Sequence, residues 1–445
     1  MKNQLFIISL LMTIVFVACR KSDIKTVQSI NLSVQVSYNT TDSLMGLSRA
    51  NAAVKITNLL SGQENTTTTN NEGIAIFADI APGNYTVTAA KNYTAEEFFT
   101  TTNITVPSNV AYNASETMVF NSSAHIRLVM QGGKIGNLVI KQYAYAGSNV
   151  STGAAFRDQF VEIYNNSNET IYLDSLYFGN TWQSVTKITS GGVPLDWTTS
   201  TGMPTNIGDV NKDYVYAKYL FMIPGTGKQH PLASGKSVII AATAINHTQD
   251  YVMNDGLVQG ITDPTKTVDL SKADFETNLV EYNRAHYNGS GTFTPYKWDI
   301  DNPTIPNVDV IHIRSGNDWV LDATGREDFF IFKLSKSIKA NEWPIYAVPG
   351  SPTSFCAQVK VADIIDAVEI LTPLESNRVP KRLPIALDAT GTFALGGQYS
   401  SQSIVRKTIK TIEGRRILQD TNNSANDFET KTKSDASKTE SSFEK

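Results

Sequence analysis

The feature that most constrains this chain is a cadence of short alternating runs near its start. "INLSVQVSY" sets Leu32, Val34 and Val36 on one face, and "AAVKITNL" does the same with Val54 and Ile56. "EGIAIFADI" and "GNYTVTAA" continue the period of two, with "APG" as the turn between them. Apolar residues at every second position, punctuated by turn residues, read as antiparallel strands with one buried side. Residues 28–120 are therefore predicted to form a small β-sandwich. The chain runs to 445 residues, more than one such unit needs, so a second domain is expected. The predicted class is mainly β: two β-sandwich domains, the second with long loop and helix insertions.

The first residues are not fold. Lys2 precedes an apolar run from Leu5 to Val17, broken by Ser9 and Thr13, and Ala18 and Cys19 follow. A spanning helix needs about 20 apolar residues. This run is shorter, and its length fits a secretory signal over residues 1–18. "FVAC" resembles the lipobox of bacterial lipoproteins, with Phe16 where leucine is usual. The resemblance implies cleavage before Cys19 and its acylation, so that the membrane is a partner through an N-terminal acyl anchor. Each buried methylene would add about 0.8 kcal/mol to that anchoring. Residues 19–27 then serve as a polar tether. "CRKSD" carries no strong acidic run, which leaves open whether the anchor faces the periplasm or the exterior. The other cysteine, Cys356, has no partner for an internal disulfide and is expected as a small buried strand residue.

Two further stretches resemble known domains. Ala53 to Ile56, the turn Asn70 to Gly73 and the strand Ile80 to Val87 are similar to the transthyretin-like, carboxypeptidase-regulatory type of sandwich. That resemblance implies a stalk or spacer, turns at Gly73 and Gly83 that favour positive φ, and Tyr85 and Val87 in the core. Residues 121–136 follow as a linker. From 137 to 430 the chain resembles an enlarged lamin-tail-like, immunoglobulin-type sandwich. "FVEIYNNSNETIYLDSLYFG", "PLASGKSVIIAATA", "VDVIHIRSGND" and "SIVRK" with "ILQDTNNSANDFE" carry it in the right order. Insertions at 182–230 and 248–307 double the usual length. The whole chain looks like an uncharacterised family of large Gram-negative surface lipoproteins, through "AINH", "VDLSKADFE", "DIDNPTIPN" and "DTNNSANDF".

Inside the second unit, "DQFVEIYNNSNETIYLDSLYFG" reads as a hairpin. Phe160, Glu162 and Tyr164 alternate with Val161 and Ile163, the asparagines make the turn, and Ile171 and Leu173 restart the pattern. Glu162 and Asp174 are then solvated edge carboxylates. A helix is expected over 270–285, capped by Ser271 with Asp274 three residues on, and with Phe275, Leu279 and Tyr282 on one face. Residues 431–445 carry no apolar run, only Ala436 and Phe443 among polar residues, and are expected to be disordered.

Chemistry-bearing motifs are incomplete. A formal net charge of −4 gives no basic face for nucleic acid. "PGTGKQH" hints at a phosphate loop, but Met222 stands where its first glycine belongs and Gln229 where Ser or Thr belongs. "NGSGT" misses the nucleophile elbow because Asn288 holds the first glycine position. His125, His230, His247, His286 and His312 are scattered without an i,i+4 pair. Asp209, Asn211 and Asp213, and Asp299 and Asp301, carry oxygens at alternate positions that would suit Ca²⁺, without the glycine and distal glutamate of an EF-hand. No other cofactor is implied.

The insertions hold Trp182, Trp197, Tyr214, Tyr216, Tyr282, Tyr296 and Trp298, flat rings suited to a sugar or a protein partner. The expectation is a non-enzymatic, lipid-anchored envelope protein whose loops meet a partner such as an outer-membrane receptor. Two alternatives stand beside it: capture of an extracellular glycan by the aromatic insertions, and a hydrolase built on Asp299, Asp301 and Asp309.

Overall fold

A computed structural model describes residues 28–39, 42–102, 109–134, 137–167, 169–334, 336–412 and 414–444. The expected signal segment, Cys19 and the expected tether lie outside the described residues. The first unit has seven strands: β1 (Ile30–Tyr38), β2 (Ala53–Asn58), β3 (Glu64–Thr68), β4 (Ile74–Ile80), β5 (Gly83–Tyr93), β6 (Val110–Phe120) and β7 (Ala124–Lys134). Their order is β3-β2-β5-β6-β7-β1-β4. The alternating residues named above are its core: Leu32, Val34, Val36, Val54, Ile56, Tyr85 and Val87 are all buried together.

The expected linker is instead the strand that completes this unit. The first part of β7 pairs in parallel with β1, from Leu32 opposite Ala124 to Tyr38 opposite Met130. Its end pairs antiparallel with β6, Gln131 opposite Asn113. Leu128 and Met130 enter the core, which is why the segment is ordered. Gly73 has a φ of 82° and meets the turn requirement. Gly83 does not: it begins β5, and a Cβ there would stand 3.0 Å from Asn58 Nδ2, so close approach is what it supplies.

The second unit is built from β8 (Leu138–Ala144), β9 (Phe160–Asn165), β10 (Leu176–Thr181), β11 (Tyr214–Met222), β12 (Ser237–Ala241) and β13 (Phe275–Glu276). It continues with β14 (Asp309–Ile313), β15 (Phe329–Lys333), β16 (Ile345–Val348), β17 (Ser351–Lys360), β18 (Ile364–Val368), β19 (Ser403–Arg406) and β20 (Phe428–Lys431). One sheet runs β13-β12-β9-β8-β19-β20; the other runs β16-β17-β11-β10-β15-β18, with β14 also on β11. Ile140, Val161, Ile163, Val238 and Ile240 from the first sheet meet Phe178, Phe221, Phe329 and Ile331 from the second in one core. The fold is mainly β, as the sequence implies.

Four expectations change. The quoted "hairpin" does not close: β9 pairs with β8 and β12, Ile171 and Tyr172 pair instead with Leu232 and Pro231, and the chain then crosses to the opposite sheet as β10, beside β11 and β15. The asparagines still make the turn, since Asn165 Oδ1 accepts from the Ser167 N–H and its Nδ2 donates to the Glu169 carbonyl. The expected insertion 182–230 contains β11, which pairs with three strands and is central scaffold. The expected helix over 270–285 is helical only at Val280–Ala285. Phe275 is drawn into β13 beside Ile240, and Asp274 accepts from the Ile239 N–H instead of capping.

The fourth change is the C-terminal segment. It is not a free tail but a strap over the outer face of the first sheet. Phe443 packs with Val139, Tyr164 and Leu418. Lys431 Nζ donates to the carbonyls of Ser441 and Phe443, and Arg416 pairs with Glu440 and Glu444. Among the described residues, no helix is long and apolar enough to cross a membrane.

Candidate functional site

Beneath the strap, a bulge in β8 between Ile140 and Gln142 turns two consecutive side chains to the same face. Lys141 and Gln142 both reach Glu162: Lys141 Nζ lies 2.8 Å from Oε1 and Gln142 Nε2 lies 3.3 Å from Oε2. Ser237 and Ser442 complete the cluster, and the Phe443 ring sits 3.5 Å from the ammonium. Burial pushes the Lys141 pKa down, and Glu162 works against that fall. Glu162 is thus a fully buried ion-pair partner, not a solvated carboxylate.

Asp174 is also buried, for a different reason. The "PGTGKQH" loop wraps it, and the N–H groups of Gly227, Gln229 and His230 donate to its carboxylate at 3.0, 2.9 and 3.0 Å. A Cβ on Gly225 would stand 2.2 Å from Asp174 Oδ1, so glycine is required there. Burial alone would raise its pKa; three backbone donors outweigh that and hold it at about 2. The phosphate-loop hint is therefore physically apt, since successive N–H groups do cradle an anion. The anion is the protein's own.

The expected ligand-binding rings do not gather. Trp197 and Tyr216 stack at 3.5 Å with Tyr214 beside them, and all three are buried with Val210 and Cys356. They fasten residues 195–214 onto the sheet: Tyr214 and Tyr216 donate their hydroxyls to the carbonyls of Ile207 and Val210. Large rings bury more area than any other side chain, and that packing use wins here. Half-buried Trp182 lies under Arg314 at 3.7 Å, and Tyr282 stacks on His286. Tyr296 and Trp298, with Phe156, surround the Arg157 guanidinium, which pairs with Asp318. Cys356 is buried in β17, and burial pushes its thiol up to about 12.

The proposed calcium oxygens are occupied by the chain itself. Asp209 accepts from the Asn211 N–H, Asp213 from the Asp209 N–H, and Asn211 from the Trp197 N–H. Asp299 Oδ2 accepts from the Leu279 N–H at 2.9 Å, and Asp301 from Asn307. These are turn and loop contacts. Among the described residues, no three His, Cys, Asp or Glu side chains group as a metal site. The carboxylates of the hydrolase alternative are likewise apart in role: Asp299 is buried, whereas Asp301 and Asp309 are exposed.

What the structure gathers, and sequence spacing did not reveal, is a groove at one end of the second sandwich. The end of β10, the start of β15 and the end of β18 lie side by side, Asn180 opposite Phe329 and Phe329 opposite Val368. The loops leaving these ends, with the loop ahead of β19, enclose a groove of about 380 Å³ lined by Val185, Lys187, Arg326, Leu374, Asn377 and Gly397 among others. The loops are fixed to one another. Ile188 N–H donates to the Arg378 carbonyl at 2.9 Å, Lys187 Nζ to Asn377 Oδ1 at 2.6 Å, and Thr189 to the Ser376 carbonyl at 2.9 Å. Arg326 is held by Asp322 at 2.9 Å. Two lining side chains, Val185 at 47 % and Leu374 at 61 %, face solvent, as do Ile188 and Leu395 in the same loops, at 56 % and 72 %. Single exposed apolar residues mean little, but several fixed about one concavity mark a contact surface.

Fold and groove together define a mainly β protein that carries a loop-built recess on a two-sheet scaffold. Residues 233–435 match the family described as "Protein of unknown function (DUF4876)". The chain is similar to the crystal structure of a DUF4876 family protein from Bacteroides thetaiotaomicron, with 25 % identity, a TM-score of 0.50, and coverage of 90 % of this chain and 94 % of that one. Two others are a DUF3823 family protein from Parabacteroides merdae (11 % identity, TM-score 0.16, covering 35 % and 66 %) and a putative adhesin from Bacteroides ovatus (8 %, 0.17, 82 % and 98 %). Scores that low carry no argument. No curated protein matches this chain.

Proposed function

We propose that this is a lipid-anchored envelope protein without catalytic activity, which presents the loop end of its second sandwich to a protein partner such as an outer-membrane receptor. The observation that carries the reading is the groove, where Val185 and Leu374 stay exposed, with Ile188 and Leu395 exposed in the same loops, although Trp197, Tyr214 and Tyr216 of the same unit are packed away. Exposed branched side chains on hydrogen-bonded loops offer contact area without a large ordering cost on binding. The burial of Trp197, Tyr214 and Tyr216 removes support from the glycan alternative. The anchor rests on "FVAC" alone.

Two measurements test this. Cross-linking in intact cells, followed by pull-down from detergent-solubilised envelopes, is expected to retain one envelope protein that the Leu374→Asp, Leu395→Asp double variant loses. Cys19→Ser is expected to abolish acyl labelling and move the chain out of the membrane fraction. Unchanged capture by the double variant sinks the groove, and a labelled or membrane-bound serine variant sinks the anchor.

A further inference from the structure

The lining of the groove includes Lys187 and Arg326 and no carboxylate, in a chain whose formal net charge is −4. Asp322 lies behind Arg326, and its oxygens are taken up by the Thr324 hydroxyl and by N–H groups of Thr324 and Arg326. The exposed carboxylate next to the groove, Glu375, belongs to the turn that carries Leu374 and is not part of the lining. Arg326 is thus ion-paired with Asp322, whereas Lys187 has no carboxylate partner among the described residues and lines the groove with the exposed Val185 and Leu374.

We propose that the groove takes an acidic, extended peptide segment of the partner, with a branched apolar side chain seated against Val185 and Leu374 and flanking carboxylates meeting Lys187 and Arg326. The inference rests on the groove being the binding end. An apolar anchor supplies area in a recess of this size, and the flanking charges select its neighbours. Lys187 is already steered by Asn377, so it need not be ordered from a free state when a carboxylate arrives. An extended segment also brings backbone groups, for which the Asn377 amide and the Gln398 side chain lie along the lining.

The probe is a fluorescein-labelled peptide of alternating Asp and Leu, compared on the full chain with an Asp–Ser and a Lys–Leu counterpart by fluorescence anisotropy. The Asp–Leu peptide is expected to bind more tightly than either counterpart and to weaken as salt rises. Lys187→Glu and Leu374→Asp should each weaken it about tenfold, a difference of about 1.4 kcal/mol. Glu375→Lys should tighten it, which guards against reading a folding defect as lost binding. Equal binding of the three peptides, or no response to Lys187→Glu and Glu375→Lys, overturns the inference. If the envelope partner is still lost in the double variant while the Asp–Leu peptide fails to bind, the groove stands as a binding site and only the acidic chemistry falls. If neither responds, both fall.

Discussion

Individual side chains show how much charge this fold holds out of water. Lys141 and Glu162 are both fully buried, and the pair is closed by Ser237, Gln142 and a ring. Removing one partner leaves the other charged and dry, so Glu162→Ala should destabilise the protein by about 3–5 kcal/mol, and the double change Lys141→Met, Glu162→Leu by less. Urea unfolding midpoints check this; equal losses in the two variants would contradict it. Buried carboxyls give a second prediction. Burial raises Asp299 to about 8 and Glu276 to about 7, against about 4 in an unfolded chain. The folded state thus holds protons that the unfolded state releases. The stabilisation from these groups is complete below pH 4 or so and is lost as pH rises through 7 to 8. Asp299→Asn keeps an acceptor for the Leu279 N–H without a titrating proton. It should flatten the fall of Tm between about pH 4 and 8, and an unchanged slope in that variant would count against the assignment. None of these environments could be read from residue type: Glu162 and Asp174 look like surface residues in a polar turn until the covering segments are known.

At the scale of elements, local pattern was legible and partnership was not. Period-two alternation correctly marks β1, β2, β5 and β9, because the inward set is a property of each strand alone. Whether a turn joins neighbours in one sheet or carries the chain across to the other depends on distant strands, so the crossing after Asn165 reads as a hairpin. "YVYAKYLFM" falls within the expected insertion and shows no period of two, because a central strand buried on both faces is apolar almost throughout. The strap was missed for a sharper reason. Its order comes from one ring and several ion pairs, and the apolar surface it covers belongs to the sheet. Phe443→Ala is therefore expected to speed amide exchange across residues 432–442 while β8 and β9 stay protected. Uniformly unchanged exchange would show that polar contacts alone hold the strap.

For the molecule as a whole, the sequence conveyed a mainly β, sandwich-rich class, but not the groove. The groove's loops come from parts of the chain more than two hundred residues apart, around 185, 326, 374 and 397, and the antiparallel ends of β10, β15 and β18 bring them together. No spacing rule reaches across such a distance. The topology of the first sandwich has a mechanical side. If the chain is tied down ahead of Ile30 and tugged through its second sandwich, the load enters at the start of β1 and leaves at the end of β7. In a parallel pair those are opposite ends, so the seven residue pairs from Leu32–Ala124 to Tyr38–Met130 resist sliding together. A hairpin pulled at its open ends would unzip one rung at a time.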